Sequence, residues 1–301
     1  MDAPAKNKKI VKSNVRKNVF VIGMLLVPVV HFIIFWGAVN FNSILMAFQR
    51  LDPLMGEFKF TLQNFKEFPL LWQFGGAKTE LTNTFLTFGL LILLLPWGFF
   101  LTYFLYKKIA LSGLWRTMLF VPTILPAVAV TTIFTYLINV LGPVGAFREL
   151  IGAKALHFLT DVKLARWTIL AYVFWTNFGG QFILFSGAMS RIPKELIESS
   201  RLDGAKLWTE MLRIVLPLCW PTFSMLLLLN IAGLFTASGP VLLLTKGYYE
   251  TSTVAFHIFN HTLSGFFNEP AALGVACTAI LFPIILFSRW LLNKVYANVE
   301  F

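Results

Sequence analysis

Residues 190–217 read SRIPKELIESSRLDGAKLWTEMLRIVLP, a polar stretch between two long apolar runs. Pro193 suits the first turn of a helix, where a missing N–H has no partner to lose. KELIESSRL, residues 194–202, then makes a short helix with Glu198 and Arg201 three apart on one side. Leu196, Ile197 and Leu202 supply its apolar contacts. Asp203-Gly204 ends it, the glycine being free to take the left-handed conformation. From Ala205 a second amphipathic helix, with Leu207, Met211 and Ile214 at helical spacing, leads to Pro217 and the next apolar run. Such a helix, sharp turn and helix belongs on a membrane face, not inside a bilayer.

The rest of the chain agrees with a membrane setting. Of its 301 residues 57% are hydrophobic and 13% charged, with a mean hydropathy of +0.73, against roughly 45–50% apolar and 25% charged in soluble domains. A hydrocarbon core of about 30 Å takes roughly 20 helical residues to cross. Apolar runs of that size fall at 19–40, 81–106, 115–140, 164–189, 213–237 and 270–292. Lipid offers backbone groups no hydrogen bonds, so these runs are helices. The expectation is an all-α integral membrane protein of about six spans. Residues 1–18 form a basic N-terminal segment, 19–80 a first span and outer loop, and 81–301 the core. The first run is too long for a signal peptide and no A-x-A site follows it, so it is read as uncleaved. The outer segment 41–80 either caps the outer mouth or touches an extracytoplasmic partner, or it forms a short interfacial helix with Phe60, Phe65 and Phe68 in the headgroup layer.

The net charge of +11 would suggest nucleic acid on a soluble protein. Here the oily runs argue against a nucleic-acid partner, and the charge labels topology. Lys6, Lys8, Lys9, Lys12, Arg16 and Lys17 precede the first span. Lys107, Lys108, Arg116, Arg191, Lys194, Arg201, Lys206, Arg213, Arg289 and Lys294 fall in alternate connections or at the far end. Positive residues are retained on the cytoplasmic side, which places both termini and the 190–217 loop in the cytoplasm.

No acidic residue falls in the middle of an expected span, which argues against proton or sodium coupling and against an acidic-ring channel. The polar residues inside the spans are uncharged: His31, a Thr131, Thr132 and Thr135 cluster, Asn177 and Gln181 four apart on one face, and Asn230. Two readings stay open for them. They bond neighbouring helices, or they line a wet path for a hydroxyl-rich solute, with Trp175 as a stacking surface for a sugar ring. Prolines at 28, 96, 122, 126, 217, 221 and 283 imply bent helices. His257 and His261 are four apart but lack a third ligand at sensible spacing, so they are taken as an incidental pair. Cys219 and Cys277 are read as buried thiols. No G-x-x-x-x-G-K-[ST] occurs, so the chain does not bind ATP through a P-loop, and it offers no cofactor or metal site.

The sequence E-S-S-x-x-D-G-A at 198–205, followed by I-x-L-P at 214–217, resembles the EAA loop of ABC importer permeases, whose usual pattern is E-A-A-x-x-D-G-A and then I-x-L-P. Ser199 and Ser200 stand in place of the two alanines and are also small. The resemblance extends to LTNTFLTF at 81–88, to LWRTMLFVPTILPAVAVTTIFTYLIN at 114–139 with Gly142-Pro143-Val144-Gly145, and to Gly233–Phe259 with its LLLTKG and TSTVAFHIF. These segments are similar to the MalF-type half of carbohydrate permease pairs, in a shorter form without a large inserted outer domain.

The resemblance implies a MetI-like, type I ABC importer bundle in the bacterial plasma membrane. It implies that residues 198–205 form the helix seated in a cleft of an ATPase subunit. Glu198 would be the charged contact, Gly204 the bend and Asp203 the turn and capping residue, with Ser199, Ser200, Leu202 and Ala205 completing the site. The implied partners are a second, MalG-like permease, two ATP-binding subunits and an extracytoplasmic solute-binding protein that delivers a carbohydrate. ATP hydrolysis is then expected on separate subunits, not on this chain. The alternatives are an ion-coupled secondary transporter and a membrane-embedded lipid-linked sugar transferase.

Overall fold

A computed structural model describes residues 5–51, 56–68 and 76–295. The chain divides into two units, one of residues 1–66 with 267–275 and one of residues 67–266 with 276–301.

In the first unit, helix α1 (Ala5–His31), a π-helical segment (Phe32–Ala38) and α2 (Val39–Ala47) follow one another without a break. Residues Lys17–Ala47 make an apolar stretch of 31 residues, about 46 Å at 1.5 Å per residue and ample for a bilayer. Apolar side chains from Val19 to Phe41 are exposed, as on a helix bathed in lipid. Strands β1 (Gln49–Leu51) and β2 (Phe58–Phe60) then pair antiparallel, with Gln49 opposite Phe60. Helix α3 (Gln63–Lys66) follows. The Asn64 amide donates to the carbonyls of Ala47 at 2.9 Å and Gln49 at 3.0 Å, and that of Asn268 to Met46 at 3.1 Å and Gln49 at 2.6 Å. Phe48 packs between Phe60 and Phe65. Of the aromatic residues expected in a short interfacial helix, Phe60 stands in the hairpin, because Phe58-Lys59-Phe60 alternates with the period of a strand, while Phe65 lies in α3 and Phe68 is also helical; residues 52–55 and 69–75 of the segment lie outside the described residues.

The second unit is built on α4 (Ala77–Tyr106) and α8 (Val162–Ser190), which run against each other. Between them lie α5 (Ser112–Ile124), α6 (Ala127–Ile138) and α7 (Pro143–Leu150). After α8 come α9 (Lys194–Leu202), α10 (Leu207–Glu210), a π-helical segment (Met211–Val215), α11 (Leu216–Leu218) and α12 (Trp220–Ala232). Then come α13 (Gly239–Leu244), α14 (Val254–Leu263) and α15 (Asn268–Val295), whose first turns belong to the first unit. Small residues let the helices approach: a Cβ on Gly98 would meet Gln181 Oε1 at 2.6 Å, and one on Gly179 would meet the Leu119 carbonyl at 2.7 Å and Thr123 Cγ2 at 2.6 Å. The main core joins Leu95, Phe99 and Tyr103 of α4 to Phe185 and Met189 of α8, and reaches Ile197 of α9 and Met211 and Val215 of the π segment. The loop is thus packed onto the bundle and does not hang from it.

Among the described residues, five helices are long and apolar enough to cross a bilayer, or six if α10–α12 count as one span. Two expected spans are not continuous. The run at 115–140 breaks at Leu125, whose ψ of 146° is extended because a residue before proline is driven out of the helical region by the ring of Pro126. The run at 213–237 bends by 72° at Cys219, where Pro221 has no N–H for the Pro217 carbonyl, and its helix ends at Ala232. The second amphipathic helix, expected from Ala205, starts at Leu207 and turns π-helical at Met211.

The contact at Gly179 gives a test of close packing. Gly179→Ala should cost about 1–3 kcal/mol through overpacking of α5 on α8. Gly180→Ala, with nothing within 4 Å of the new methyl, should be neutral, as read from thermal melting of the purified protein in detergent.

Candidate functional site

Helix α9 begins after Pro193, which stands just outside it as the N-cap (φ −57°, ψ 132°) and not in its first turn. Its end is a Schellman turn. The Ala205 N–H donates to the Ser200 carbonyl at 2.9 Å, that of Gly204 to Arg201 at 3.0 Å and that of Asp203 to Ser199 at 3.0 Å. Gly204 has φ +79°, a conformation that a side chain with Cβ adopts only under strain. Ile197 and Ser200 face the core, and the Ser200 hydroxyl donates to the Ile197 carbonyl at 2.8 Å. Glu198, Ser199, Leu202, Asp203 and Gly204 face outward. Leu202 is 89% exposed, a large apolar side chain held open at the tip of a polar turn.

Arg201 does not pair with Glu198 as their spacing suggests. Its Nε donates to Glu210 Oε2 at 3.2 Å. Glu210 is 1% exposed and also accepts from Lys107 Nζ. The Tyr103 hydroxyl donates to the Leu207 carbonyl at 3.4 Å, and Lys107 Nζ sits 5.3 Å from the Tyr103 ring centroid. Burial by itself would raise the Glu210 pKa; the hydrogen bonds and charges of Lys107 and Arg201 outweigh it and hold the carboxyl below its usual range. Sequence spacing could not find this cluster. Lys107 and Glu210 lie 103 residues apart, and the only one-dimensional hint is an acidic residue placed directly before an apolar run.

At the other end of α4, about 40 Å away for 26 residues of helix, a cavity of about 480 Å³ is lined by Glu80, Lys246, Ser252, His257 and Asn260. His257 Nδ1 lies 3.0 Å from Glu80 Oε1 and its ring stacks on His261 at 3.9 Å. The pair taken as incidental is thus packed together, with one member tied to α4. Lys246, Tyr249 and Glu250 all have positive φ, strain that persists only where surroundings enforce it. The buried Asn83 amide does so, donating to the Glu250 and Ser252 carbonyls at 2.8 Å each, and Thr245 bonds Thr251 at 2.6 Å.

The polar residues of the spans have different surroundings. Trp175 stacks on Phe134 with centroids 5.9 Å apart. The Asn177 amide returns to the Val173 carbonyl of its own helix at 2.7 Å. Gln181 is buried against Gly98, and Asn230 is half-buried on α12. The hydroxyls of Thr131, Thr132 and Thr135 donate to carbonyls of their own helix, and the cluster also borders open space. Thr131, Thr132, Thr135 and Asn139 line a groove of about 360 Å³, and Thr135 and Asn139 also line a neighbouring cavity of about 520 Å³ with His157 and Thr160. Thr131 Oγ1 is 2.9 Å from the Tyr172 hydroxyl, which sets the groove beside the Trp175 stack.

Comparison with known proteins places this geometry among transporters. The profile of the family described as "Binding-protein-dependent transport system inner membrane component" matches residues 94–300. The sn-glycerol-3-phosphate transport system permease protein UgpA of Pectobacterium atrosepticum is 29% identical over 263 residues, 82% of this chain and 83% of that protein. The multiple sugar-binding transport system permease protein MsmF of Streptococcus mutans is 25% identical over 266 residues, 87% and 89% of the two chains. In fold, the chain is similar to a subunit of a bacterial ABC transporter involved in the import of the acidic polysaccharide alginate, with a TM-score of 0.79 at 23% identity over 95% of this chain and 99% of that one. In the complex of a bacterial alginate transporter with its alginate pentasaccharide-bound periplasmic protein the TM-score is 0.81 at 22% identity, over 96% and 99%.

The Asn83 contacts predict where the far end is weakest. Asn83→Ala strips two carbonyls of their donor, at a cost of about 1–3 kcal/mol. It should raise amide exchange across residues 245–253 with little change in α9, as read by hydrogen–deuterium exchange.

Proposed function

Because the chain belongs to the family of binding-protein-dependent transport system inner membrane components, we propose that it is the permease subunit of an ATP-driven carbohydrate importer, coupled to an ATPase through α9 and the Gly204 turn. The observation that carries the coupling role is the exposed end of α9. A nine-residue helix braced on the core by Ile197 presents Glu198, Leu202 and Asp203 outward and is closed by a turn that only glycine adopts without strain. A mobile loop would absorb a push from a partner; a braced helix passes it on.

Two ATP-binding subunits, a second permease of the complementary type and an extracytoplasmic solute-binding protein complete the machine. The support for the solute-binding protein is the periplasmic protein in the alginate complex. ATP closes the two ATPases, and their tighter docking on the outward-facing bundle drives the switch, since a ligand shifts an equilibrium only by its differential affinity for the two states. The carbohydrate is the solute class favoured by the sugar-transporting relatives, and the uncharged polar residues of the spans suit it. That path runs by Trp175, Asn177, Gln181 and Asn230 and over the threonine face of α6. The ion-coupled and lipid-linked transferase alternatives are not favoured by these relatives.

The loop shares its end of the bundle with Lys107, through Glu210, and the concentration of Lys and Arg there favours a cytoplasmic position for that end and for both termini. Leu202→Cys should therefore resist a membrane-impermeant maleimide in intact cells and react in inverted vesicles; labelling in intact cells would reverse the topology. Glu198→Ala and Gly204→Val should abolish ATP-dependent uptake while the chain still inserts and assembles. Normal uptake in both would remove α9 from the coupling path.

A further inference from the structure

The loop has an irregular segment directly behind its partner-facing helix. Residues Met211–Val215 are π-helical, a geometry found at functional irregularities in helices, and the chain then bends by 72° at Cys219. A push on α9 that travelled along the chain into α12 would have to cross both irregularities.

Glu210 sits between α9 and the irregular segment and bonds sideways, not along the chain. Its carboxylate takes Arg201 of α9 on one oxygen and Lys107, the residue that caps α4, on the other. Tyr103 of α4 bonds the Leu207 carbonyl from the same side. Ile197 and Met211 pack into the core that Leu95, Phe99 and Tyr103 supply. A carboxylate held ionised at 2% side-chain exposure has strong electrostatic ties to its partners, and breaking such a cluster by removing one member is costly.

We propose that Glu210 is a positioning residue that locks α9 to the inner end of α4, so that movement of the ATPase-facing helix passes straight into the central α4–α8 pair and around the π segment. The proposal rests on the coupling role assigned to α9. Glu210 touches neither solute nor nucleotide; it acts through Lys107 and Arg201. Its consequence is that α9 and α4 move as one body through the cycle, while α9 and α12 change their separation.

The test uses the full importer with its partner permease, ATPases and solute-binding protein, in two nitroxide-labelled forms. One pairs Leu202→Cys with Phe85→Cys on α4 and the other pairs Leu202→Cys with Met225→Cys on α12, all three positions being exposed and the native Cys219 and Cys277 buried. The probe is ATP with vanadate, and distances are read by pulsed electron resonance. With Glu210 present, the 202–85 distance should shift by less than about 2 Å, the size of ordinary helix adjustments, while the 202–225 distance shifts by more. In Glu210→Gln the 202–85 distance should shift as well, and ATP-driven transport should lose about five-fold or more in solute moved per ATP. Lys107→Arg should keep the fixed distance. The double change Lys107→Met with Glu210→Gln, which leaves no buried orphan charge, should match Glu210→Gln alone.

An unchanged 202–85 distance in Glu210→Gln would overturn the proposal, as would failure of both Glu210→Gln and the double variant to assemble, which would assign the cluster to folding only. If neither distance responds to ATP and vanadate with Glu210 present, the coupling role of α9 fails as well, and the two failures are thereby told apart.

Discussion

A bilayer offers no water to a stray backbone group and no hydrophobic gain for bringing two apolar helices together. The contact between α4 and α8 answers both constraints, and the second unit is assembled around it. Its helices approach through glycine: Gly98 receives Gln181 and Gly179 receives Thr123 and the Leu119 carbonyl of α5. Hydroxyls inside the bundle bond their own helices, as Thr102 does with Gly98 at 2.7 Å, so the spans carry polar side chains without exposing polar atoms to lipid. The aromatic packing of Phe99 on Phe185 and Phe223 fills the space toward the C-terminal end of α4.

The same seam places the two chemically distinctive regions at opposite ends of one helix. Glu210 and Lys107 gather at the C-terminal end of α4, and Glu80, Asn83 and His257 at its N-terminal end. Both ends use the same device, in which a buried polar residue binds segments distant in sequence. Asn83 holds a strained turn 167 residues away, and Glu210 holds a helix end 103 residues away.

Much of the architecture was legible because membrane helices obey one-dimensional rules. Length, apolar content and the distribution of Lys and Arg are properties of segments, and the six expected spans correspond to elements of the structure, two of them broken. Residues 194–202 were legible for a different reason: the helix, its glycine and the I-x-L-P that follows are a local pattern, and a Schellman turn involves no residue outside it. The breaks at Leu125 and Cys219 were announced by Pro126, Pro217 and Pro221. Their size was not, since a proline removes a hydrogen bond without fixing the angle that neighbouring helices impose. The hairpin of the outer segment was not legible because three-residue strands give only a faint period, and Phe58-Lys59-Phe60 is no longer than that.

Side-chain partnership is where sequence spacing failed. Glu198 and Arg201 at i and i+3 looked like a pair, yet Arg201 turns to a buried carboxylate that is nine positions on and folded back against α4. Asn177 and Gln181 shared a predicted face, and the structure gives one to its own helix backbone and the other to a glycine across the seam. The sequence by itself determined that this chain is built of apolar helices long enough to cross a membrane, and that a short helix closed by a glycine turn stands between two of them, because each follows from composition or from contacts within a few residues. Only the tertiary structure decided which charges meet and which polar face opens to a cavity, because those depend on helices brought together across a hundred residues or more.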